Sequence, residues 1–290
     1  IYAAIYNQIQ RSSNGGKTWV SQLAGGYFTD VAVTSKGIVY ATSSSDGAKK
    51  GIFRANNDGK LVNINPSFLG TTYKRIVIGV DPNNENVVYF LLNTDGFGRK
   101  SANYKGDIEW NGLYRYTYIK GDGSGDSGVW EDLSMNLPNG GVFDRWNVQG
   151  SYDMLVRVRP GNSQEVYIGG TNVYRSSTGF SDSTHTEKIG GYKLKAQFPD
   201  VGVWANHHPD QHNLLFYPND GSKLLSSNDG GVFRSVSLSD SPFAWESLNN
   251  GYLTTQFYTV ALDHGTPESP LLVGGAQDNN QLMTVSMDPR

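Results

Sequence analysis

The stretch "HNLLFYPNDGSKLLSSNDGGVFRS", residues 212–235, holds three short apolar runs separated by two turns. Runs of this length bounded by Pro, Asn, Asp and Gly read as β-strands, because those residues supply the dihedrals that hairpins need. The spacing predicts an antiparallel meander. "YPNDGS" at 217–222 joins the first strand to the second, and "SSNDGG" at 226–231 joins the second to the third.

The same unit recurs along the chain, and internal repeats outrank isolated motifs as fold signals. Its third strand ends in apolar–any–Arg: "IQR" at Arg11, "IFR" at Arg54, "LYR" at Arg115, "VYR" at Arg175 and "VFR" at Arg234, at intervals of 43, 61, 60 and 59 residues. Second strands precede these arginines: "IYAA" at 1–4, "VYAT" at 39–42, "VYFL" at 88–91, "VYIG" at 166–169 and "LLSS" at 224–227, with "LLVG" at 271–274 in the last unit. First strands are "FTDVAV" at 28–33, "RIVIGV" at 75–80, "MLVRV" at 154–158 and "FYTVAL" at 257–262. Trp19, "WEDL" at 130–133 and "WESL" at 245–248 open fourth strands, which makes Trp19, Trp130 and Trp245 core residues by position.

Four-stranded units at this spacing predict an all-β chain folded as a β-propeller with antiparallel blades. Both end units are read as holding a second and a third strand, so they cannot be halves of one blade. Six blades are then represented, with seven expected in the full ring. Residues 1–290 form a single propeller domain, incomplete at both ends. "IYAAIY" has no basic region or cleavage site, so it is not a signal peptide, and further chain is expected before it.

Bulk properties narrow the function. The net charge is −3, which gives no basic surface for nucleic acid. No apolar run reaches the ~18 residues of a membrane span. The absence of cysteine removes disulfides and thiolate ligands without fixing a compartment.

"SSNGGKTW" at 12–19 resembles the Asp-box pattern, with Asn14 at the Asp position, and "ANNDGKLV" at 55–62 is a degraded copy. The chain is thus similar to the neuraminidase-repeat propellers, among them sialidases, xyloglucan-cleaving enzymes and sortilin-like receptors. Residues of about 150–283 further resemble exported bacterial propellers, many from Bacteroidetes, that carry a sorting domain for type IX secretion. The resemblance implies a secreted or cell-surface protein that binds a glycan or a surface protein, with a secretion apparatus as a further partner. Against a sialidase, no arginine cluster or Arg-Ile-Pro motif is present, since the repeated arginines fall one per unit.

In a propeller, second-to-third hairpins share a face with the loops that enter first strands. "NHHPDQH" at 206–212, "SSNDGG" at 226–231, "GGAQDNN" at 274–280, "GGTNV" at 169–173 and Asp153 should therefore meet around one mouth. Alternate residues of an extended segment point the same way. His208, Asp210 and His212 could then share a divalent cation, with Ca²⁺ favoured by the oxygens and Zn²⁺ or a similar metal by imidazole. Plain hydrogen bonding between neighbouring loops, by these residues and Asn228, is the alternative. Glycoside hydrolysis would need two carboxylates, for which Asp210, Asp229 and Asp278 are the candidates. Three long insertions carry Trp110, Trp146 and Trp204, with Asp144 and Arg145 beside Trp146; with Gln277 and Asn279 they are candidate ligand contacts. Asp122 and Asp126 in "KGDGSGDSG" at 120–128 are spaced loosely like a calcium loop, but a third-to-fourth turn fits better. The sequence favours a binding module over an enzyme.

Overall fold

A computed structural model describes residues 1–55, 59–103, 105–218, 220–251, 256–276 and 281–286. Residues Ile1–Ser247 form one compact unit and Leu248–Arg290 a second. Among the described residues there is no α-helix, and no helix is long and apolar enough to cross a membrane.

The first sheet has the order β1-β2-β3-β4-β5: β1 (Tyr2–Arg11), β2 (Val20–Val33), β3 (Val39–Ser43), β4 (Gly51–Ala55) and β5 (Leu61–Asn63). The second is built from β6 (Tyr73–Val80), β7 (Val87–Thr94), β8 (Arg99–Ala102), β9 (Ile108–Tyr118) and β10 (Gly128–Asp132), in the order β10-β9-β7-β6 with β8 paired to β9. Two four-stranded sheets follow in sequence order. One contains β11 (Leu155–Arg159), β12 (Asn162–Gly169), β13 (Val173–Ser176) and β14 (Thr186–Gly190). The other contains β15 (Gln211–Tyr217), β16 (Asp220–Asn228), β17 (Gly231–Ser235) and β18 (Glu246–Ser247). The second unit holds a three-stranded sheet of β19 (Phe257–Leu262), β20 (Leu272–Ala276) and β21 (Gln281–Thr284). All ladder pairs are antiparallel.

One expected boundary is wrong. "IYAA" and "IQR" are not separate second and third strands but the single strand β1. The chain runs straight on through Asn7 (φ 68°), which is absorbed as a register shift against β2 rather than closing a hairpin. The N-terminal unit thus supplies a third and a fourth strand.

The innermost strands β2, β6, β11 and β15 pack side by side in that order. Side chains stitch them. Asp30 Oδ2 accepts the Ile78 amide at 2.9 Å, Thr29 Oγ1 donates to the Ile76 carbonyl at 2.9 Å, and Arg157 Nε donates to the Leu214 carbonyl at 3.1 Å. Gly79 permits this approach, since a Cβ there would lie 2.8 Å from the Val156 carbonyl oxygen. Apolar clusters fill the spaces between successive sheets, which is why β3, β4 and most of β7 are buried on both faces.

The repeated arginines have a structural role. Arg115, Arg175 and Arg234 each stand opposite a glutamate on the fourth strand, Glu131, Glu187 and Glu246, and bind it through the guanidinium. Where the fourth strand offers Val62 instead, Arg54 packs its guanidinium 3.8 Å from the Tyr118 ring centroid.

Candidate functional site

The entry of β15 is a turn, not an extended segment, and this decides the fate of its histidines. His207 is buried. Its Nδ1 accepts the Gly191 amide at 3.0 Å, its Nε2 meets Ser226 Oγ at 3.0 Å, and its ring stacks on Trp245 at 4.2 Å. Burial, with the nearby His208 charge second, pushes its pKa down to about 3, so it stays neutral and locks two blades together. His208 Nδ1 turns to the Pro209 carbonyl at 3.0 Å. A Cβ on Gly230 would fall 2.4 Å from the His208 Cβ, so a glycine is needed beneath it. Asp210 sits at φ 65°, and only then does β15 begin.

Period-two alternation therefore never applied to His208, Asp210 and His212. They do not converge on one point, and among the described residues no three His, Asp or Glu side chains are placed to hold a metal ion. The cation reading of these three residues is corrected accordingly.

The expected meeting of loops within the first unit does occur. The Asp210 and Gln211 amides donate to the Thr171 and Gly170 carbonyls at 2.9 and 3.0 Å, and the Asp229 amide donates to the Asp210 carbonyl at 3.2 Å. His212 Nε2 lies 2.5 Å from Asp229 Oδ1 and presents its ring edge-on to Tyr152 at 5.1 Å. Tyr152 is 55% exposed, and its hydroxyl approaches Asp229 Oδ1 at 3.5 Å. The charge of Asp229, then burial, raises the Tyr152 pKa. Gln149 Nε2 donates to Asp210 Oδ1 at 2.5 Å.

Tyr152 rides on a strained turn. Gln149 and Ser151 both take left-handed dihedrals, φ 48° and 92°, which L-residues rarely adopt. Three groups from the preceding blade hold it. Glu109 accepts the Val148 and Gly150 amides at 2.8 and 2.5 Å, Arg75 donates to the Ser151 and Tyr152 carbonyls, and Asn93 accepts the Ser151 hydroxyl at 2.9 Å. Strain maintained by surrounding bonds marks positions where a side chain must be aimed. Sequence reading placed Asp153 at this mouth but missed Tyr152, Gln149 and Glu109. The only local signal was an aromatic immediately before a first strand.

Of the tryptophans expected in the core, Trp245 is buried and Trp130 packs against a core cluster, whereas three other tryptophans depart from expectation. Trp146 is 1% exposed, in the core between the second and third sheets. Trp204 is also buried, with its Nε1 donating to the Phe243 carbonyl at 2.9 Å. Neither ring is open to a ligand, because the insertions fold back onto neighbouring blades. Trp19, expected in the core, is 38% exposed at a hairpin edge. Trp110 is half-buried, with Lys100 Nζ 5.7 Å from its ring. Asp144 and Arg145 fasten loops to their neighbours. Asp144 pairs with the buried Lys188, and Arg145 donates to the Gly141 and Ala102 carbonyls. Asn228 caps its own turn through the Gly230 amide. Gln277, Asp278 and Asn279 lie outside the described residues. Asp122 binds Ser124 in the turn between β9 and β10.

No protein-family model matches the chain, and no curated protein matches it. Solved structures do. An ancestral GH74 enzyme superposes with a TM-score of 0.55 at 16% identity, covering 97% of this chain and 37% of that one. This chain is a β-propeller. A GH74 enzyme from Niastella koreensis gives a TM-score of 0.42 at 15% identity over 97% of this chain and 46% of its own. YCF48 from Cyanidioschyzon merolae gives 0.45 at 13% identity over 78% and 60%. The propeller spans less than half the length of the two GH74 enzymes it resembles.

Proposed function

We propose that this propeller binds glycan at the mouth formed by Tyr152, His212, Asp229, Asp210 and Gln149. The observation that carries the reading is the exposed Tyr152 ring, held on a strained and fully bonded turn beside two carboxylates. An aromatic face suits the apolar side of a sugar ring, and carboxylates accept its hydroxyl protons. The resemblance to exported bacterial propellers extends the proposal to a secreted or cell-surface location and to carriage by type IX secretion. We further infer that residues 1–290 belong to one propeller of seven blades.

The test is a panel of neutral and acidic oligosaccharides, screened by calorimetry for binding and by chromatography for product release. Binding without product is expected, weakened tenfold or more by Tyr152→Ala and by Asp229→Asn. Product release abolished by Asp210→Asn or Asp229→Asn would replace the binder with a glycoside hydrolase. Binding indifferent to all three substitutions would refute the mouth as the site.

A further inference from the structure

Asp153 lies two residues before β11 and is completely buried, and neither of its carboxyl oxygens has a hydrogen-bond partner. Its surroundings are acidic. Asp210 comes from the β15 entry, Asp229 from the turn between β16 and β17, and Glu109 from β9. The donors nearby are committed elsewhere. Arg75 serves the Ser151 and Tyr152 carbonyls, His212 serves Asp229, Gln149 serves Asp210, and the Tyr152 hydroxyl faces Asp229.

A buried carboxylate without a donor, facing a second carboxylate, is strongly disfavoured, because two like charges at close range cannot both persist out of water. One proton shared between the pair resolves the conflict and turns the contact into a hydrogen bond. A cation would also resolve it, but among the described residues no three His, Asp or Glu side chains converge there to hold one.

We propose that Asp153 is a positioning residue, a neutral carboxylic acid that donates its proton to Asp210 and so fixes that carboxylate at the mouth. Burial first, and then the charges of Asp210 and Asp229, push the Asp153 pKa up to about 9. The ligand-facing part of this inference rests on the glycan-binding reading; the shared proton does not.

The experiment follows the Asp153 carboxyl by ¹³C NMR from pH 5 to 10.5, with the resonance assigned by its loss in Asp153→Asn. Titration near pH 9 is expected. The parent should lose glycan affinity as pH rises through 9 and the shared proton leaves; Asp153→Asn, whose amide can still donate, should bind glycan within threefold of the parent at pH 7 and show no such decline. Asp153→Leu, similar in size without a donor, should bind at least tenfold more weakly. Titration in the ordinary carboxylate range would overturn the proposal. So would a shift of the resonance at pH 7 on adding millimolar CaCl₂, which would mean that a cation neutralises the cluster. If Asp153→Leu does not fold, the titration alone decides. A proton retained to pH 9 in a chain that binds no glycan would leave the shared proton standing and remove the glycan-binding reading.

Discussion

Acidification should erode the contribution that one imidazole makes to this fold, a loss read as the difference between the parent and a His207 variant because the buried Asp153 carboxyl responds to pH in the opposite sense. His207 is neutral when folded, with its pKa pushed down to about 3, whereas an unfolded histidine titrates near 6.5. The folded state therefore binds fewer protons than the unfolded one between these values. The contribution to stability is complete above pH 6.5 and is lost as pH falls toward 3. Each pH unit in that window costs about 1.4 kcal/mol, so moving from pH 7 to pH 5 removes about 2 kcal/mol. In a unit the size of Ile1–Ser247 that contribution alone corresponds to roughly 4–8 °C of Tm difference between the parent and a variant lacking the imidazole. His207→Gln keeps some hydrogen bonding but loses the stack on Trp245, and should cost about 1–3 kcal/mol at pH 7.5. Urea unfolding read by tryptophan fluorescence at pH 7.5, 6.5, 5.5 and 5.0 should show the advantage of the parent shrinking by about 2 kcal/mol across the series. Parallel curves with a constant gap would refute the buried neutral imidazole. So would a His207 NMR resonance titrating near 6.5.

Two other outcomes follow from the packing. Gly79→Ala should destabilise by about 1–3 kcal/mol by calorimetry, because its Cβ would press on the Val156 backbone, and an equal Tm would contradict the close approach of β6 and β11. A double-mutant cycle on Arg115 and Glu131 should give a coupling below about 1 kcal/mol that fades in salt, since Glu131 is well exposed; a larger, salt-insensitive coupling would mean the pair is shielded from solvent.

Much of the fold was legible because it is local. The Pro-Asn-Asp-Gly turns fix hairpins, and the Arg-ended third strands mark the repeat. Even the Arg–Glu ladder is visible in "WEDL" and "WESL", whose glutamates stand in register with Arg115 and Arg234. The N-terminal boundary failed for an equally local reason. Asn7 can be a turn residue or a bulge, and only its partner strand decides which.

Sequence alone determined that short strands repeat four at a time, and that the loops around Asp153, Gly169–Val173, His208–His212 and Asn228–Gly231 share one face. Hydrophobic period and turn chemistry are properties of neighbouring residues, and they survive in the linear order. What a side chain does once it arrives depends on groups far along the chain. Trp146 is sealed by strands of the second and third sheets, His207 is neutralised by Trp245 and Ser226, and Tyr152 is aimed by Glu109, Asn93 and Arg75. Burial and charge at those positions are set by three-dimensional neighbours, so only the folded chain could separate the core rings from the exposed one.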